Sequence, residues 1–356
     1  MEVNAKISPY QGRGKEVGND AHQPPRVGEL MGAALDKLAQ LRKVAPETEI
    51  KPLRATDQDQ PIDGKGGRQK LLKRARSKYI TNGITGKLRA LKSPLEKSYL
   101  NTFFCCSSMQ QKGQVITSTY CGNRWCLLCN RIRTARLISG YQKPLTDLPD
   151  LHFVTLTRPN VSAHLLRSEI KTMLEELRGI QDGFFRKNKI QFRGIRKIEC
   201  TYNIKRDDYH PHFHLIVSGR EQAYLLRDLW VKRNPTANLA AQDIRKCDEN
   251  SLLELFKYFT KIIQDGKLYA QPLDNIFRAI RRVRVFQPFG IRKVSEEIEE
   301  LISEEYEIQM REVVWIWRDD QQSGDWYSVE TGEGLTGYSP NDWAKGFRAE
   351  DLQKEL

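Results

Sequence analysis

The chain has 356 residues, 58 Lys plus Arg against 45 Asp plus Glu, a net charge of +13 and 39% hydrophobic residues. That length fits two domains with tails, and the basic balance favours a polyanion, nucleic acid first, as partner. No apolar run is long enough to cross a membrane and the N-terminus has no apolar signal core, so a cytoplasmic protein with no membrane partner is expected, its seven cysteines in a reducing compartment.

Residues 1–68 read as largely disordered or linker. Within them, Leu30, Met31, Ala34, Leu38 and Leu41 recur at helical spacing and predict one short helix. Residues 69–99 are strongly basic with scattered leucines. They suit one or two helices lying on a phosphate backbone, and equally a solvated basic face. Residues 100–145 are the Cys-rich part. Beyond them LHFVTLT (151–157) predicts a buried strand, 161–187 a long amphipathic helix and 192–203 an alternating strand. DDYHP (207–211) predicts a turn, 212–218 a strand, 221–233 a helix, and 250–266 a helix closed by Gly266. This order predicts an α+β domain over 146–293, a central antiparallel sheet with helices packed on one face. Residues 294–356 are left as a C-terminal accessory region, with an acidic helix at 294–308 and a strand at 311–320.

Cys121, Cys126 and Cys129 form C-x4-C-x2-C, with Cys105 and Cys106 upstream. Zinc takes four tetrahedral ligands and binds thiolates strongly, so Cys106 (or Cys105) would complete the set. Four thiolates leave no open position for water, which makes such a zinc structural. A group of buried free thiols is the alternative. Cys200 and Cys247 are isolated and are expected to pack. Arg124, Arg131, Arg133 and Arg136 flank the cluster and give it a basic surface.

Three of the six histidines lie in YHPHFHLIV, as His210, His212 and His214. On a strand His212 and His214 project from one face, roughly 6–7 Å apart at Cα. Phe213, Leu215 and Val217 would face the core. Two imidazoles on one face can chelate a divalent metal, or simply be hydrogen-bonded at the surface. Glu199, across the turn, is a third candidate ligand or an ordinary exposed charge. In the predicted helix 250–266, Glu254, Tyr258 and Lys261 share one face. A tyrosine with a polarised target is a nucleophile, a lysine can stabilise developing charge, and a glutamate one turn away can activate a water. The triplet alone also suits an ordinary solvated helix face.

FVTLT (153–157), HPHFHLIV (210–217) and KYFTK (257–261), in that order and preceded by CGNRWCLLC (121–129), together resemble the HUH endonucleases. The likeness is nearest to plasmid rolling-circle replication initiator (Rep) proteins and spans roughly residues 100–290. It implies that His212 and His214 ligate Mg²⁺ or Mn²⁺ and that Tyr258 attacks a DNA phosphodiester, leaving a 5′-phosphotyrosine and a 3′-OH that primes a host polymerase. Position 262 is Ile262, so the chain offers one tyrosine, and Glu254 looks like the base for the second, closing step. The DNA partner would be an origin hairpin with a single-stranded nick site, in a bacterium carrying the plasmid or mobile element. Arg281, Arg282 and Arg284, with Arg124 and Arg131, would contact phosphates. No P-loop signature is present, so unwinding would need a host helicase. A single-strand transposase of the same chemistry and a non-catalytic zinc-ribbon nucleic-acid-binding protein are the competing readings.

Overall fold

The computed structural model describes residues 56–59, 65–112, 115–189, 191–248, 251, 254–255, 263–264, 267–293, 312–320 and 322–346. The predicted disorder and short helix before residue 56, the acidic helix 294–308, and Tyr258 and Lys261 lie outside them. The chain runs β1 (Thr56–Asp59), α1 (Lys65–Ala90), α2 (Glu96–Phe103), β2 (Ser108–Lys112), β3 (Val115–Thr119) and α3 (Leu127–Thr146). It continues through β4 (Leu151–Thr157), α4 (Leu166–Asn188), β5 (Gly194–Asn203), β6 (Asp208–Ser218), α5 (Arg220–Arg233) and β7 (Asp243–Lys246). Then follow β8 (Ile263–Gln264), β9 (Lys267–Leu268), α6 (Ala270–Ala279), β10 (Phe286–Phe289), β11 (Glu312–Asp319), β12 (Gly324–Ser328) and α7 (Asp342–Lys345).

β10, β5, β6, β4 and β7 form, in that order, an antiparallel sheet with β6 at its centre. Alternation sorts its side chains. Val154, Leu156, Ile198, Phe213, Leu215 and Val217 are fully buried on one face. There they meet α4, whose Leu166, Ile170, Met173, Leu177 and Ile180 recur every three or four residues, and α5 through Ala223, Leu226 and Trp230. Each such side chain contributes about 1.5–3 kcal/mol on burial. The other face begins apolar, with Phe153, Ile195 and Ile216 under Tyr141 and Leu145 of α3 and under Leu255. Farther along β6 it becomes polar, with His214, His212 and His210.

The hairpin between β5 and β6 turns over residues 204–207, earlier than the predicted DDYHP turn. Asn203 Oδ1 accepts from the backbone N–H groups of Lys205 and Arg206, an Asx turn that closes the loop and frees Tyr209–Pro211 to extend β6. Pro211 is tolerated because Tyr209, two residues earlier, turns its N–H toward Val161, beyond the end of β4. The predicted helix 250–266 does not reach its Gly266 stop. Ile263–Gln264 pairs instead with Lys267–Leu268.

A second five-stranded sheet, in the order β1-β3-β2-β11-β12, joins the Cys-rich part to the C-terminal strands. Its central support is α1. The sequence reads this segment as a basic surface helix, yet every residue from Ser77 to Thr85 is buried. The reason is that α1 is enclosed on several sides, by α2, α3, α6 and β12. Its Thr81 and Thr85 hydroxyls donate to carbonyls one turn back, which lets polar residues sit inside.

Candidate functional site

Register places Glu199 of β5 directly opposite His212 of β6, with Lys197 opposite His214 and Thr155 of β4 flanking His214 from the other side. Glu199 Oε2 lies 3.0 Å from His214 Nε2 and 3.7 Å from His212 Nε2. One ligand atom from each of Glu199, His212 and His214 lies within 4.8 Å of the others. The protonation of the rings follows from their other nitrogens. His212 Nδ1 is 3.0 Å from the His210 carbonyl oxygen. A carbonyl only accepts, so Nδ1 carries a hydrogen; Nε2 then donates to Glu199 when it is protonated and offers a lone pair to an ion when it is not. His214 Nδ1 is 3.2 Å from the Thr155 hydroxyl, which can accept and so allow the same tautomer.

Burial works against ionisation of Glu199, but hydrogen bonds from His212 and His214 and the Lys197 ammonium outweigh it and hold the carboxyl well below the usual range. Lys197 Nζ donates to Glu199 Oε1 at 2.7 Å. His210, stacked on His212 with centroids 5.1 Å apart, is pushed down to about 4 by burial, by His212 and by Arg206. Two imidazoles and a carboxylate on adjacent strands are a donor set for a divalent transition ion, and three donors leave coordination positions open.

Glu254 reaches the same face by another route. Its carboxylate accepts from Arg245 Nη2, and the Arg245 guanidinium lies 4.3 Å from the centroid of Phe153, whose ring is 5.2 Å from that of His214. The neighbouring Leu255 is fully buried beneath the sheet. Sequence reasoning missed Lys197, Thr155 and Arg245. Lys197 shares strand parity with Glu199, a signal present in RKIEC; Arg245 carried none.

The second cluster gathers Cys105, Cys121, Cys126 and Cys129, again within 4.8 Å. The sulfur of Cys129 is 3.6 Å from that of Cys105 and 3.7 Å from that of Cys121. A tetrahedron with metal–sulfur bonds of about 2.3 Å has edges of about 3.8 Å, which these two separations match. The backbone N–H groups of Cys121 and Asn123 point at sulfurs of the cage, each at 3.4 Å. Cys126 caps α3 and Cys129 lies in its first turn, where the helix dipole favours anionic sulfur. Of the two upstream candidates, Cys105 joins the cage. Cys106 has a φ of 56° and its sulfur accepts from Ser118 Oγ instead, so adjacent side chains diverge.

The cage is tied to the first sheet. Arg124 Nη1 donates to the carbonyls of Ile280 and Val283, Trp125 packs on Phe277 of α6, and Tyr99 Oη donates to the buried Asp274 at 2.7 Å. The next link is Val285, whose carbonyl accepts from Ile198 N, beside Glu199. Arg131 Nη1 donates to Lys73 O and Ser77 Oγ of α1. Arg124 and Arg131, read from the sequence as phosphate contacts, thus make their first contacts within the chain, because each guanidinium bridges two elements. Arg281, Arg282 and Arg284 are exposed on the segment before β10. No helix among the described residues is long and apolar enough to cross a membrane.

Residues 112–312, more than half the chain, match the family model described as "Replication protein". The chain is 29% identical over 179 residues to "Protein rep" of Staphylococcus aureus, covering 44% of this chain and 76% of that protein. It is 24% identical over 217 residues to "Protein rep" of a Bacillus species, covering 50% of this chain and 70% of that protein. A third "Protein rep", from Streptococcus pneumoniae, is 25% identical over 202 residues, covering 49% and 61%. No solved structure matches.

Proposed function

The chain belongs to the replication-protein family, and on that premise we propose that it is a plasmid rolling-circle initiator that nicks one DNA strand at its origin by metal-dependent transesterification. The observation that carries this reading is the Glu199–His212–His214 cluster, held by register on the polar half of a sheet face. Glu199, His212 and His214 would hold Mg²⁺ or Mn²⁺, whose contribution is Lewis-acid polarisation of the scissile phosphate. Tyr258 Oη bonds to phosphorus as the bond from phosphorus to the 3′ oxygen breaks. The products are a 5′-phosphotyrosine and a free 3′-OH for a host polymerase. Lys261 offsets charge developing on the phosphate oxygens. Glu254, with Arg245 as its partner, orients or deprotonates the water or hydroxyl of the closing step. Single-stranded DNA would cross the polar half-face, with Arg281, Arg282 and Arg284 on its phosphates. A host helicase would supply unwinding, in the cytoplasm of the bacterium.

Cys105, Cys121, Cys126 and Cys129 would hold a structural zinc, which fixes the module against α6 and the first sheet.

The test is a covalent-adduct assay. The full chain is mixed with its own replicon, supercoiled and as single strands, with Mg²⁺ or Mn²⁺, and resolved on denaturing gels. A protein–DNA band that disappears with Tyr258→Phe and with EDTA is the expected result. DNA binding without any adduct in either metal would overturn the nicking reading in favour of a non-catalytic zinc-ribbon protein.

A further inference from the structure

Lys78 is used by neither cluster, and its position is costly. It lies in the middle of α1 and is 0% exposed. An ammonium taken out of water costs several kcal/mol unless hydrogen bonds and opposite charge replace the solvent. The hydrogen bonds are present. Nζ donates to the Phe103 carbonyl and, at 3.0 Å, to Ser107 Oγ. These two residues bracket the Cys105–Cys106 turn, so the ammonium sits against the backbone that presents Cys105 to the cage. Both acceptors are neutral, however, and they leave the charge uncompensated.

Four groups elsewhere in the chain interact electrostatically with that charge. They are the sulfurs of Cys106, Cys105 and Cys126 and the carboxylate of Asp319 on β11. Asp319 also accepts from Asn82 Nδ2 at 2.8 Å. Burial pushes the ammonium down from its usual range. Protonated thiols contribute no net charge. Four thiolates around a divalent zinc leave a net charge of about −2 in the same low-dielectric interior, which itself needs a cation nearby.

Building on the zinc reading of the cysteine cage, we infer that the buried Lys78 ammonium is the built-in counter-charge of a tetrathiolate zinc centre. It strengthens metal binding through its field at Cys105 and Cys126 and is not a ligand. The two costs offset each other in part: the buried ammonium gains anionic neighbours beyond Asp319, and it brings the charge of about −2 on the tetrathiolate centre down to about −1. Lys78 is therefore a positioning and charge-balancing residue, and its role is independent of the nicking chemistry.

The experiment uses the full chain as wild type, Lys78→Met, which keeps length and loses charge, and Lys78→Arg, which keeps charge. Zinc per chain is measured, its affinity by chelator competition, and the sulfur-to-metal charge-transfer band after replacement of zinc by Co²⁺. The wild type should hold one zinc per chain. Lys78→Met should bind it about 10–100-fold more weakly, the loss typical of a partner just outside the ligands. Its Co²⁺ band should also move to longer wavelength, because sulfur electrons held by less positive charge are easier to transfer. Lys78→Arg should retain most of the affinity and the band position. Equal zinc affinity and an unmoved band in Lys78→Met would overturn the counter-charge role and leave the zinc reading intact. If Lys78→Met does not fold, Lys78→Arg decides: a folded, zinc-bound chain supports the charge, and failure like that of the Met variant overturns it. A folded wild type that takes up no zinc would overturn the zinc reading and this inference together.

Discussion

The cysteine cage takes its four sulfurs from turns and a helix start between Cys105 and Cys129, whereas Glu199, His212 and His214 stand on two adjacent strands fixed by ten consecutive register pairs. The strands are held by the sheet and by the apolar layer of α4 and α5, so the histidine group exists before any ion arrives. The turns around Cys105, Cys106 and Cys121–Cys126 lie outside the strand ladders and are held by core packing and scattered hydrogen bonds. A zinc bound there would couple its binding to the folding of those turns. On the proposed metal assignments the two clusters would divide the work: one emptied and refilled on a standing scaffold, the other part of the scaffold.

The largest expected effect comes from breaking each cluster in turn. Cys129→Ala should lose zinc and, since structural zinc supplies binding energy on the order of the whole stability of a domain, should melt early or fail to accumulate. His214→Ala should melt near wild type yet lose adduct formation, by more than the roughly 10–100-fold expected for an outer partner. Thermal melts and adduct gels on the two variants check this, and interchanged phenotypes would invert the comparison.

Next comes the apolar support. Phe213, buried between the two histidines on the opposite face, should cost about 3–5 kcal/mol as Phe213→Ala. Denaturant titration measures it, and a loss below about 1 kcal/mol would show that the sheet does not depend on this layer. Lys197→Met should weaken Mn²⁺ binding about 10–100-fold by freeing Glu199, read by Mn²⁺ titration.

A smaller effect concerns acid. His210 is held down to about 4 from an ordinary 6.5, so the unfolded chain binds its proton first as pH falls. Stability from this group is therefore full above about 6.5 and lost progressively toward about 4. His210→Gln should flatten stability over that window in melts taken at stepped pH. The smallest effect is at the rim. Arg284→Ala should lower the salt dependence of single-strand binding by about 0.7 in the log–log slope, one phosphate contact.

Much of the first sheet could be read from local pattern. The strand at Leu151–Thr157, the helix against it and the inward trio Phe213, Leu215 and Val217 are all where alternation and helical spacing place them. Hairpin geometry brought Glu199 near His212 or His214, and the turn at 204–207, earlier than the sequence suggested, sets it opposite His212. The rest depends on pairings distant in sequence. β2 meets β11 across some two hundred residues, and nothing in either strand announces the other. Residues 77–85 of α1 look solvated because Lys78, Thr81, Asn82 and Thr85 are polar. Only the hydrogen-bond partners supplied by neighbouring segments make that helix a core element. Arg245 was invisible for the same reason, since its meaning lies in Phe153 and Glu254.

The pairing of β2 with β11 bears on where the chain can be cut. The family match ends at residue 312, where β11 begins. A fragment trimmed to that match would start at residue 112, without Cys105, and would leave the cage one sulfur short. It would also lose nearly all of β2 and β11, and β1 entirely, and so strip β3 of both its partners. An unpaired strand edge of that kind recruits other chains. The boundary that sequence similarity draws is therefore not a boundary of folding, and a soluble, metal-loaded fragment has to extend to both sides of it.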